Sequence, residues 1–348
     1  MADLAFSDDP AKAVRMFAEL LQRRRDMPAD KFRQIIYLHA AAVGDIPASL
    51  AAYRDMTKAR GGRDYFVGMV RLLVAAGEYS EALDSVAHWK TGLAEPARPF
   101  REEIVATVAQ LRGDGTAMLR ASRAMRRYPG WERHHLAVLL EIGGRVQTGT
   151  TAGLASRVDS LLASEPRGFR IDPVSVYASA GDLLQRHGHA ALARTAWTRA
   201  LVKLDSTAPR AALRGPAGAD SVRLSRGRLL LSLGRKAEAR DLLVTPALRT
   251  DRREMLRQGW LGVASVRLGD RAAAQRIERV LAADTVAALR SGRVMARAII
   301  AEALGNPSRA ASLVLAESTF VDRRTMPGSW LLRAAQSDAR LVRWLSGH

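Results

Sequence analysis

Eight glycines frame this chain. Gly44, Gly77, Gly113, Gly149, Gly188, Gly234, Gly269 and Gly305 follow one another at separations of 33, 36, 36, 39, 46, 35 and 36 residues. Most stand between a helix-length apolar stretch and the polar start of a second helix, with a small residue about five positions on. Gly77-Glu-Tyr-Ser-Glu-Ala, Gly188-His-Ala-Ala-Leu-Ala, Gly234-Arg-Lys-Ala-Glu-Ala and Gly305-Asn-Pro-Ser-Arg-Ala are instances. A period near 35 residues is that of a helical hairpin. Glycine ends the first helix because the left-handed conformation costs a residue without Cβ almost nothing. A short turn then makes the helices antiparallel. The small residue (Ala82, Ala193, Ala239, Ala274 or Ala310) permits close approach, ~8 to 10 Å between axes. Each hairpin has an apolar face that only a neighbouring hairpin can cover. The expected class is all-α, with about eight stacked hairpins. Thirteen prolines and 5% aromatics agree with helices over strands.

The fifth unit carries the pattern most fully: Tyr177, Gly181, Leu184, Gly188, Ala193, Trp197 and Ala200 fall at successive inward positions of two helices. This order resembles the tetratricopeptide (TPR) signature. The sixth unit repeats it with Gly227, Leu230, Gly234 and Ala239, and the seventh with Gly262, Gly269 and Ala274. Units one, three and four depart from it, with Ser49, Met118 and Leu154 where the second helix expects Ala. The resemblance spans roughly residues 30 to 318 and implies a right-handed superhelical solenoid. Its concave groove, lined by first helices, would hold a peptide, a helix or a protein domain. The array is also similar to the TPR tails of bacterial multidomain regulators, although no kinase or DNA-binding motif is present.

The boundaries that follow are an N-terminal capping helix in 1–30, repeats one to five in 31–204, a long flexible loop in 205–220, repeats six to eight in 221–318, and a C-terminal capping helix in 319–348. Pro, Gly and Ala in 205–220 predict the loop. Gly143-Gly-Arg-Val-Gln-Thr-Gly-Thr-Thr-Ala-Gly reads as a second loop. Ser329 is the expected cap of a closing helix over 329–345.

Charge is the other strong signal. Fifty-four Lys and Arg against 35 Asp and Glu give +19, enough to draw phosphate polymers. Of these bases 48 are Arg, which with the Ala content also fits a GC-rich coding sequence. Arg123 with Arg126 and Arg127, and Arg223 with Arg226, share helix faces. The N-terminus has acids where an export signal needs bases, and no stretch reaches the ~18 apolar residues of a spanning helix. The chain therefore reads as cytoplasmic, with no membrane partner.

Catalytic and cofactor chemistry find no motif. With no cysteine, thiolate sites are excluded. His134 with His135, and His187 with His189, lack zinc-binding spacing, and the latter pair, beside Gly188, reads as helix C-capping by imidazolium. Neither a nucleophile elbow nor a phosphate-binding glycine loop occurs. No catalytic residue, metal or cofactor is expected. The resemblance instead implies a binding groove lined by Arg71, Val74, Asp182, Gln185, Arg186, Arg228, Leu231 and Arg267. Its arginines would suit an acidic or amphipathic protein or peptide. The reading is a non-catalytic scaffold, with a nucleic-acid-binding basic solenoid as the alternative.

Overall fold

The computed structural model describes residues 10–22, 28–59, 66–88, 99–131, 134–163, 173–212, 215–245, 252–326 and 330–347. Among them are eighteen α-helices and no strand. Helix α1 (Pro10–Gln22) precedes eight helix–glycine–helix pairs. These are α2 (Ala29–Val43) and α3 (Ile46–Ala59), α4 (Phe66–Ala76) and α5 (Tyr79–Ala87), α6 (Phe100–Arg112) and α7 (Gly115–Met125), and α8 (His135–Gln147) and α9 (Leu154–Ala163). Then come α10 (Pro173–Arg186) and α11 (Ala190–Ala212), α12 (Pro216–Ser232) and α13 (Lys236–Val244), α14 (Arg252–Arg267) and α15 (Arg271–Ala283), and α16 (Arg290–Ala303) and α17 (Pro307–Ala316). Helix α18 (Ala339–Ser346) follows several 3-10 turns.

The eight glycines do what their spacing predicts. Each has a left-handed φ, from 70° at Gly149 to 93° at Gly269. At Gly44 the glycine N–H donates to Ala41 O and the next N–H to Ala40 O, 3.1 and 2.9 Å, satisfying two carbonyls at the helix end. The residue after the glycine often caps the next helix. Asp45, Asp114 and Asp270 accept from Ala48 N, Ala117 N and Ala273 N at 2.9, 2.8 and 2.8 Å.

Two compact units result: residues 1–78, 243–323 and 334–344 form one, and 79–242, 324–333 and 345–348 the other. In the second unit Tyr177, Leu184, Ala193, Trp197 and Ala200 are buried together. Trp197 lies flat against Gly181, where a Cβ would overlap the indole. Met118 and Leu154, at positions where the repeat expects Ala, are equally buried. Room for Met118 comes from the next helix: a Cβ at Gly143 would stand 2.5 Å from its Cε. Gly144 and Gly115 let α8 and α7 touch backbone to backbone, each Cβ falling 2.8 Å from the other's carbonyl oxygen.

The first unit draws on both regions of the sequence. Its α14 packs on α16 through Gly259 and Gly262, which face Ala296 and Ile300. Phe17, Ile35 and Leu38 join α1 to α2. Both helices also pack on the 3-10 turn Ala287–Leu289, and α3 packs on the turn Ser318–Phe320. Helix α1, expected as an N-terminal cap, buries Phe17 against α2 and leaves Arg15, Glu19 and Gln22 exposed.

Three expectations change. Residues 205–212 continue α11 and residues 216–220 begin α12, in place of a loop across 205–220. Asp205 at its start pairs with Arg226 of α12, and the next helix opens at Gly215 (φ 82°) and Pro216. Gly143 to Gln147 are helical because neighbouring side chains fill the space that the glycines leave. In place of one helix over 329–345 there are turns at Trp330–Leu332 and Ala335–Ser337 before α18; Ser329 lies outside the described residues.

Candidate functional site

The expected groove residues divide by depth. Val74 on α4 and Leu231 on α12 are buried, and so is Asp182 on α10. Arg71, Gln185, Arg186, Arg228 and Arg267 are half-buried. Asp182 and Arg228 meet directly: Arg228 Nη2 donates to Asp182 Oδ2, and Trp197 Nε1 donates to Oδ1 at 3.0 Å. Three helices, α10, α11 and α12, are thereby tied at one carboxylate. Burial pushes the Asp182 carboxyl up to about 6, and Arg228 and the indole offset that only in part. Arg186 and Arg267 have their pKa values lowered by burial. Arg71, Val74 and Arg267 belong to the first unit and the other five to the second.

Sequence reasoning missed what lies on the first helices. In the first unit the Glu302 carboxylate of α16 accepts from Ala334 N and Ala335 N at 2.6 and 2.8 Å, while Ala335, Gln336 and Leu341 are buried. Arg323 stacks over the Trp344 ring at 4.6 Å. In the second unit the Trp330–Leu332 turn packs on α10, with Leu332 fully buried. There Tyr79 Oη donates to Leu345 O at 2.5 Å. The first helices α16 and α10, each in its own unit, thus hold irregular turns of the chain itself. The spacing of Leu332, Leu341 and Leu345 signals burial, but not that backbone amides, rather than a continuous helix, make the contacts.

The histidines have structural roles. His187 is pushed down to about 4, chiefly by burial and also by Arg186, His189 and Arg333. It is a neutral imidazole at neutral pH, which replaces the expected imidazolium cap at that position. His134 caps α8 through Nδ1, accepting from Leu136 N at 3.3 Å, and its ring stacks on Trp131 with centroids 3.7 Å apart. Among the described residues no three His, Asp or Glu are grouped to hold a metal ion. No described helix is long and apolar enough to cross a membrane.

These features define the class: an all-α protein of packed helical hairpins whose first helices present mixed, arginine-bearing faces. In comparison with known proteins, no family model and no curated sequence matches the chain.

Proposed function

We propose that the chain is a non-catalytic, TPR-like scaffold that binds a protein or peptide, with an acidic or amphipathic segment as the preferred ligand. The observation that carries this reading is Glu302 holding two consecutive backbone amides of an irregular segment, Ala334 and Ala335. Binding a stretch of backbone through a fixed side chain is the chemistry by which a helical face takes a peptide. Half-buried on first helices, Arg71 and Arg267 in the first unit and Arg186 in the second carry guanidinium groups whose fork geometry suits carboxylates, and Gln185 adds an amide beside Arg186. Val74 and Leu231 support these helices from inside.

Capture of partners on the tagged full chain from a nuclease-treated lysate, read by mass spectrometry, tests the proposal. Arg186→Glu with Arg71→Glu should abolish capture. Arg276→Glu with Arg279→Glu, on an exposed part of α15, should leave it intact. Arg228 is unsuited to this test because its reversal would leave Asp182 buried beside a second acid. Loss of all capture on nuclease treatment would favour the nucleic-acid reading. So would nanomolar RNA binding with a steep salt dependence, since nonspecific affinity is otherwise ~10⁻⁴ to 10⁻⁶ M.

A further inference from the structure

The second unit contains a concavity of about 370 Å³ between α7, α8 and α9. Arg123 of α7 and Arg126 just past its end, Glu141 and Arg145 of α8, Thr150 in the connection that follows, and Arg157 of α9 line it. Three guanidinium groups converge on one carboxylate. Arg126 Nη2 donates to Glu141 Oε2, and Arg145 Nε and Arg157 Nε each stand 3.0 Å from Oε1. Arg145 also donates through Nη1 to Ala152 O at 2.7 Å. Glu141 is 8% exposed, so this bundle is built into the wall of the hollow and is no chance meeting of solvated side chains.

Four guanidinium groups and one carboxylate leave three positive charges uncompensated in the lining. Donors are also left over. Arg123 makes no ion pair among the described residues although it lines the same space. At the rim, the Thr148 and Thr150 hydroxyls lie 3.0 Å apart.

We infer that this pocket binds a phosphoryl group. A phosphomonoester brings nearly two negative charges and three acceptor oxygens, which match the charge excess and the spare forks. A carboxylate brings one charge and two oxygens, and it would leave more of both unmet. Glu141 is the positioning residue, because it fixes three guanidinium planes that would otherwise repel one another. The phosphomonoester is carried either by a phosphorylated side chain of a protein or by a small metabolite.

Titration of the full chain at low ionic strength, read by calorimetry and phosphorus NMR, tests this with inorganic phosphate, a phosphoserine peptide and glutarate. Phosphate should bind saturably. Arg123→Ala or Arg157→Ala should weaken it on the order of tenfold with little change in thermal unfolding. Arg276→Ala, an equal loss of charge elsewhere, should leave it unchanged. A phosphopeptide that binds at least about tenfold tighter than inorganic phosphate assigns the source as a protein, and equal affinities assign a small phosphate. The inference is overturned if phosphate does not saturate by about 10 mM, if glutarate binds as well, or if the Arg276 variant loses as much.

Discussion

Asp182 shows how a single residue can look like a ligand contact and serve as a joint. Its carboxylate is buried, ion-paired and hydrogen-bonded, yet its pKa is raised from 3.8 to about 6, so desolvation outweighs both partners. The folded state then binds a proton more tightly than the unfolded chain does between pH 4 and 6. By linkage, the contribution of this group is greatest below pH 4, falls as pH rises to about 6, and is flat above. Asp182→Asn keeps an acceptor for Trp197 and removes the titration. Relative to the parent, the variant should gain about 1 to 3 kcal/mol between pH 4 and pH 7. Equilibrium urea unfolding at both pH values measures this, and parallel curves would rule it out. The same scale explains Gly181, where the Trp197 ring occupies the space a side chain needs, so even a methyl group forces repacking.

At the level of elements, Glu302 links α16 to the turns that precede α18. Glu302→Ala should speed amide hydrogen exchange at Ala334 and Ala335 and cost about 1 to 2 kcal/mol. Unchanged protection at those two amides would show that burial of Ala335 and Leu341, rather than the carboxylate, holds the segment. Helices and turns were largely legible in the sequence because the hairpins announce themselves locally: an αL glycine in all eight, an Asp or Asn cap after four of them, and an alanine at the close-approach position in five. What was not legible is the use of glycine inside helices. Gly143 and Gly144 look like a loop until Met118 and Leu119 are seen to fill them, and nothing within that stretch encodes the neighbour. The long α11 was hidden for a related reason. Pro209 suggests a break, whereas the helix runs through it to Ala212. As for the candidate site, Arg123 and Arg126 could be placed on one face from spacing alone. Glu141, Arg145 and Arg157, which turn that face into a pocket, come from the following hairpin and share no local pattern with them.

At the scale of the whole molecule, much of the arginine excess is put to structural use. Arg257 is buried against Glu254 and donates to Leu243 O, while Arg297 and Arg309 share Glu278. Residues joined in sequence are also not always partners in space, because α1, α2 and α3 finish their packing on the turns at 287–289 and 318–320. A chain cut after Ala283 should therefore leave α2 and α3 with fast amide exchange and should bind a hydrophobic dye that the full chain excludes. Protection of those helices equal to that in the full chain would refute this. During synthesis the same arrangement imposes a delay. Helix α3 leaves the ribosome about 260 residues before the turn that covers it, a wait of about 13 to 50 s at 5–20 residues per second. Over that interval an amphipathic helix has water where its neighbour belongs, and its apolar side is open to aggregation until the late turn arrives.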